Sequence, residues 1–236
     1  MNLVTLIRHG QAGSRDDYDR LSETGRRQAV KLGAWLAREG TRFDAAVTGG
    51  LRRQRETAEI VLAELARAGL APPQVLEDPR WNEFDIDAVF NALAPLLAAK
   101  DEAFRAGLET ILAGMGDGAN GIHRRWTPVD TQVVEAWIRG EQETGVESWS
   151  EFTGRVAEAM DALPRLPNVA VFTSATPAAI SIARCFGCKE PRRIMHLAGS
   201  ALNTNLTMLA RRDDGLDLLS FNQVEHLDEK SLRTYR

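Results

Sequence analysis

The chain has 236 residues, 44% hydrophobic and 26% charged, enough apolar material to bury a sizeable core in one domain or one domain plus an insertion. Its formal net charge of −4 lacks the basic surplus of polyanion binders, so nucleic acid is not expected as a partner. No apolar run approaches the roughly 20 residues that span a bilayer, and Met1 to Arg8 lacks the regions of a secretory signal, so no membrane association and a cytoplasmic location are expected.

Asn2 to Ile7 is a β-branched and leucine run that stops at Arg-His-Gly, which predicts a buried strand ending in a loop. Leu21-Ser-Glu-Thr-Gly25 offers helix N-caps at Ser22 and Thr24, and Ala29, Leu32, Gly33 and Leu36 follow at helical spacing. The pattern recurs: a strand over Asp44 to Thr48, a Gly49-Gly50 turn, then a helix marked by Ala58, Val61, Leu62 and Leu65 that ends near Gly69. Between about 84 and 148 the alternation fails. Phe90 to Leu97, Phe104 to Leu112 and Val133 to Trp137 read as helical, and the glycine-rich stretch from Gly114 to Gly121 reads as a connector without the ending of a phosphate loop. A third strand over Asn168 to Thr173 precedes Thr176-Pro177, read as an N-cap with proline at the first helical position before Ala178 to Phe186. Finally, Leu206 to Leu209 and Leu216 to Phe221 flank Arg-Arg-Asp-Asp-Gly, the signal of an antiparallel hairpin. The expected fold is α/β, a mainly parallel central sheet flanked by helices, as a single domain over 1–236 with a helical cap inserted at about 84–148.

The two cysteines, Cys185 and Cys188, have redox or zinc spacing, but His9, His123, His196 and His226 supply no second ligand pair. Cys185 continues an apolar helix face, which favours packing over chemistry. No metal and no cofactor are expected.

In an open parallel sheet the loops after the strand carboxyl ends form the ligand crevice. Those loops here hold Arg8 and His9, then Gly49, Gly50 and Arg53, then Ser174, Ala175 and Thr176, which lead into a helix whose free N–H groups favour an anion. A phosphoryl group suits such a pocket: arginines donate to its oxygens, and an unprotonated imidazole can attack phosphorus.

Leu6-Ile-Arg-His-Gly-Gln11 resembles the signature of the histidine phosphatase superfamily, which includes the phosphoglycerate mutases. Leu21-Ser-Glu-Thr-Gly-Arg-Arg-Gln-Ala29 and Leu51-Arg-Arg-Gln-Arg-Glu-Thr-Ala58 are similar to its next two motifs, and the stretch from Leu202 to Leu227 looks like its closing strands. The resemblance implies a phosphoglycerate mutase-like fold with His9 as nucleophile and Arg8, Gln11 and Arg53 at the phosphate. It also implies Glu83 as the acid for the leaving oxygen, with Asp85 and Asp87 as competitors for that role and a surface carboxylate cluster as the plain alternative.

Two positions depart from the family. Ser174 stands where the family has a second histidine, and Arg15 stands where many members have a phosphate-contacting asparagine. A neutral hydroxyl compensates transition-state charge less well than an imidazolium, at a cost on the order of 100- to 1000-fold in rate. His196 and His123 are the candidate replacements, each read more simply as an ordinary surface or packing histidine. The expected function is a metal-independent phosphomonoester hydrolase working through a phosphohistidine on His9, its partner a small phosphorylated substrate or phosphate. The alternative is a weakened or inactive phospholigand-binding protein of the same fold. A mutase-type phosphotransferase ranks third, since it needs a second phosphate site for which only Arg124 and Arg125 are suggestive. Trp126, Trp137 and Trp149 are candidates to line a substrate pocket, though core packing is the simpler reading. The natural substrate and oligomeric state, including a homodimer, stay open.

Overall fold

The computed structural model describes residues 2–13, 17–114, 127–140, 144–213 and 215–235. Arg15, His123, Arg124, Arg125, Trp126 and most of the Gly114 to Gly121 stretch lie outside the described residues. Among the described residues, no helix is long and apolar enough to cross a membrane.

Among the described residues six strands form one sheet in the order β3-β2-β4-β1-β5-β6, where β1 is Asn2–Arg8, β2 Ala45–Thr48, β3 Val75–Glu77, β4 Asn168–Thr173, β5 Leu206–Arg211 and β6 Leu216–Gln223. The pairs β3·β2, β2·β4 and β4·β1 are parallel, whereas β1·β5 and β5·β6 are antiparallel. The carboxyl ends of β1, β2 and β4 therefore emerge on one edge, with Arg8 level with Thr173 and Thr48 level with Phe172. The sheet is mixed and mostly parallel, as expected.

Each of these strands runs into a loop and then a helix: α1 (Glu23–Arg38) after β1, α2 (Arg52–Arg67) after β2, and α7 (Ala175–Cys185) after β4. Ser22 caps α1 by accepting the Gly25 N–H. Ala29, Leu32 and Leu36 of α1 and Ala58, Val61, Leu62 and Leu65 of α2 share one buried cluster with Ile7, Ala46, Ala170 and Phe172 of the sheet. Helical spacing on α1 and α2 and alternation along β4 thus meet in one core.

The helix after β4 starts earlier than its sequence suggests. Ser174, not Thr176, is the N-cap, and Thr176 and Pro177 lie in the first turn. Proline is tolerated there because the first helical N–H groups have no intrahelical acceptor to lose. The edge strand β3, α6 (Trp149–Asp161) and α8 (Pro191–Ser200) are among the elements that the sequence reading did not predict.

The chain divides into two compact units. The first holds the sheet, with 1–13, 17–83 and 155–236; the second contains 84–154. Within the second unit, α3 (Ile86–Ala98), α4 (Glu102–Gly114) and α5 (Pro128–Arg139) occupy the stretches read as helical. Trp137 is buried there, stacked on Phe84 with ring centroids 4.6 Å apart, and its indole N–H donates to the Glu147 carbonyl at 2.6 Å. Trp149 meets Trp137 edge-on at 5.5 Å. Trp137 is core to that unit, and Trp149 packs against it half-buried. Asp85 is the N-cap of α3, accepting from the Ala88 N–H at 2.9 Å, and Asp87 is exposed in its first turn.

Candidate active site

His9 follows the last residue of β1, and its backbone is fixed from both sides of the sheet. Its N–H donates to the Thr173 carbonyl at 2.9 Å, and its carbonyl accepts from the Thr204 N–H at 3.3 Å and from Asn203 Nδ2 at 3.2 Å. Thr204 makes that contact from the left-handed region, φ +55°, a conformation uncommon for a β-branched residue. Gly10 is needed for close approach, because a Cβ there would lie 2.5 Å from the Gly25 carbonyl oxygen of α1. Its N–H donates to Thr57 Oγ1 at 3.0 Å.

The imidazole of His9 is buried, and its partners define the tautomer. Nδ1 is 2.7 Å from the Gly10 carbonyl, which can only accept, so Nδ1 carries the proton. Arg53 Nε–H donates to Nε2 at 3.2 Å, so Nε2 presents its lone pair. Burial, then the charges of Arg53 and Arg8, hold the imidazole pKa well below the ordinary 6.5, while the hydrogen bond to Gly10 pushes it up. The result is a neutral ring with a defined nucleophilic nitrogen.

Arg53 projects from the first turn of α2 and is buried. Its Nη1 donates to Asp19 Oδ1 at 2.8 Å, and its Cζ lies 4.9 Å from the centre of the Tyr18 ring. Arg8, also buried, donates from Nη1 to the Ala201 carbonyl. Gln11 is half-buried and turned to α1: its Oε1 accepts from Ser22 Oγ at 2.9 Å, and its backbone N–H donates to Gln28 Oε1 at 2.8 Å.

Ser174 is fully buried, and its Oγ accepts from Gln54 Nε2 at 2.8 Å. Gln54 is a fully buried hub. Its Nε2 also donates to the Trp81 carbonyl at 3.1 Å, and its Oε1 accepts from the Leu51 N–H at 3.3 Å. Its amide packs so tightly on the β2 turn that a Cβ at Gly49 would come within 2.0 Å of Oε1.

Glu83 closes the same group. The turn before it is tied down by Gly50 N–H to Asn82 Oδ1 at 2.6 Å and by Arg155 Nη1 to the Arg80 and Asn82 carbonyls, both at 2.8 Å. Glu83 Oε2 then accepts from the Thr176 N–H at 3.1 Å. A carboxylate therefore sits on the N-terminus of α7, where sequence alone suggested a phosphate.

His9 and Arg53 are thus in direct contact, and Arg8 is the residue before His9. Ser174 joins α2 through Gln54, and Glu83 joins α7 through Thr176. Arg15 lies outside the described residues, and His196 is exposed on α8. Asp19, Gln54, Thr57 and Thr204 were not singled out beforehand. Gln54 and Thr57 lie within the Leu51 to Ala58 motif and Thr204 in a polar Asn-Thr-Asn context between Leu202 and Leu206, whereas Asp19 carries no such signal. Among the described residues no group of three or more His, Cys, Asp or Glu side chains could hold a metal ion. Cys185 and Cys188 are free thiols, and burial pushes the Cys185 thiol pKa up, away from thiolate chemistry.

A mixed, mostly parallel sheet with a histidine and arginines at its strand ends defines a phosphoglycerate mutase-like α/β protein. The profile of the Histidine phosphatase superfamily (branch 1) matches residues 4–92, so the chain is histidine phosphatase-like in sequence there and phosphoglycerate mutase-like in fold. A 2,3-bisphosphoglycerate-dependent phosphoglycerate mutase of Methylorubrum populi is 37% identical over 92 residues, 35% of this chain and 41% of that protein. The match therefore spans less than half the length of such relatives. Solved structures resemble the chain over nearly its full length at lower identity. The alpha-ribazole phosphatase from Shigella flexneri has a TM-score of 0.59 at 19% identity, covering 94% of this chain and 96% of that one. The phosphoglycerate mutase from Bacillus anthracis has a TM-score of 0.58 at 19% identity, covering 96% of each. These neighbours share the fold and include both a phosphatase and a mutase.

Proposed function

We propose that the chain is a metal-independent phosphomonoester hydrolase that works through a phosphohistidine on His9, with a small phosphorylated molecule as substrate. The observation that carries this reading is the His9 ring itself: Nδ1–H held on the Gly10 carbonyl, and Nε2 left as an acceptor beside Arg53.

In the first step Nε2 attacks phosphorus as the ester P–O bond breaks, and Glu83 gives its proton to the leaving oxygen. Phosphorylation makes the ring cationic, and the Gly10 carbonyl at Nδ1 stabilises that charge. Arg8 and Arg53 compensate the equatorial oxygens. In the second step water attacks phosphorus, gives a proton to the Glu83 carboxylate, and the P–N bond breaks to release phosphate and neutral His9. Glu83 thus cycles between acid and base.

The second reading, a phospholigand-binding protein, is favoured by one observation: Ser174 is buried against Gln54 and supplies no cation. Hydrolysis of an aryl phosphate by wild type and His9→Ala, beside phosphate binding by both, tests the two. Turnover present in wild type and lost in His9→Ala supports the hydrolase. Absence of turnover in a wild type that binds phosphate supports the binding protein, and isomerisation of phosphoglycerate outpacing hydrolysis would favour a mutase.

A further inference from the structure

Building on the phosphate-site reading, we infer that Asp19 is a built-in competitor for the phosphoryl group: its carboxylate holds Arg53 across the His9 nucleophile at rest, and substrate must displace it. Three contacts carry this. Asp19 Oδ1 accepts from Arg53 Nη1 at 2.8 Å. Asp19 Oδ2 accepts from the Arg52 N–H at 3.0 Å, at the first residue of α2, where the N-cap Leu51 has no side-chain oxygen to offer. Arg53 Nε–H meanwhile donates into the Nε2 lone pair of His9 at 3.2 Å.

That last bond sets the resting state. While the lone pair accepts from Arg53, it is not available to phosphorus. The Asp19 carboxylate and a phosphoryl group present the same kind of anionic oxygen to a guanidinium and a helix-terminal N–H, so the two compete for the same donors. Asp19 is the partner able to leave, since its side chain is 49% exposed against 7% for Arg53. An arriving phosphoryl group takes over Arg53, draws Nε off the imidazole, and frees the nucleophile only when there is something to attack. After hydrolysis, return of Asp19 to Arg53 helps expel inorganic phosphate.

The opposite role for Asp19 is a fixed clamp that orients Arg53 for the ligand, and it predicts effects of opposite sign. The full chain is titrated with inorganic phosphate as wild type, Asp19→Asn, Asp19→Ser, Asp17→Asn and Arg53→Gln, and the KM for an aryl phosphate is measured alongside. Asp17 is the charge control: its carboxylate pairs with Arg20 at 2.9 Å and lies 3.9 Å from Arg52.

Both Asp19 variants should bind phosphate about two- to fivefold tighter, with KM falling in parallel, the range expected when a partly exposed ion pair no longer has to be broken. Asp17→Asn should stay within about twofold of wild type. Equal or weaker phosphate binding in both Asp19 variants, with melting temperatures near wild type, overturns the competitor and supports the clamp. So does an equal gain in Asp17→Asn, which would make the effect one of general field. Arg53→Gln separates this from the underlying reading: if it binds phosphate as well as wild type does, the phosphate site itself is wrong.

Discussion

Replacing Gln54 by alanine should cost far more than a typical polar-to-alanine change, because one buried amide ties together the starts of two helices and the turn leading to Glu83. The substitution removes the bonds to Ser174 Oγ at 2.8 Å, to the Trp81 carbonyl at 3.1 Å and to the Leu51 N–H at 3.3 Å. Each contributes about 0.5–1.5 kcal/mol. The Trp81 carbonyl keeps the Thr173 hydroxyl at 2.8 Å, so it is not orphaned, but the vacated amide leaves a void in the site floor. Together these give a loss of about 2–4 kcal/mol. For a chain of this size that lowers the melting temperature by about 4–16 °C. Urea unfolding of wild type, Gln54→Ala, Ser174→Ala and the double variant measures the loss and isolates the contact to Ser174, whose coupling should be about 0.5–1.5 kcal/mol. A loss below about 1 kcal/mol, or additive single variants, would refute the account of Gln54 as the hub.

Stability should fall in mild acid through His226, whose pKa is lowered from 6.5 to about 4, first by burial and then by the charge of Lys31. Because the folded pKa lies below the unfolded one, the contribution is complete above pH 6.5 and is lost as pH falls from 6.5 toward 4, about 3 kcal/mol in all. His9 acts in the same direction. His226→Gln should flatten the pH dependence of urea unfolding in that window, and an unchanged slope would contradict the assignment. For activity, the lowered His9 pKa keeps the nucleophile neutral, so the acid limb of kcat/KM due to His9 should lie well below pH 6.5; a limb at or above 6.5 that vanishes with no other change would argue against it. Glu83→Gln keeps an acceptor for the Thr176 N–H but cannot supply the proton. It should lower kcat/KM for an alkyl phosphate by about 100- to 10,000-fold while sparing kcat/KM for nitrophenyl phosphate, whose leaving group needs no acid, and lower kcat for both because hydrolysis of the phosphohistidine loses its base. Equal losses of kcat/KM on both substrates would remove Glu83 from the acid role.

The gathering of Arg8, His9 and Arg53 at the strand ends was legible in the sequence because it depends on local patterns. β1, β2 and β4 are short apolar runs, each closed by a turn and followed by a helix, and parallel pairing then brings Arg8, His9, Arg53 and Ser174 to one edge. What escaped depends on pairing across the chain. Nothing local in Asp19 says that it reaches Arg53, 34 residues away, or in Gln54 that it reaches Ser174, 120 residues away. The start of α7 was misplaced because Thr176-Pro177 imitates a cap while Glu83 satisfies the Thr176 N–H from a distant turn. β3 went unseen because Val75–Glu77 has three exposed residues at the sheet edge, with no burial pattern to read.

The most direct test of the central claim is to quench the chain rapidly during turnover of an aryl phosphate and map covalent phosphate under alkaline conditions, which preserve phosphohistidine. The account predicts an acid-labile phosphoryl group on Nε2 of His9, formed and consumed at rates that support turnover and absent from His9→Ala. Turnover with no label on His9, or an acid-stable phosphate on a hydroxyl residue, would contradict it.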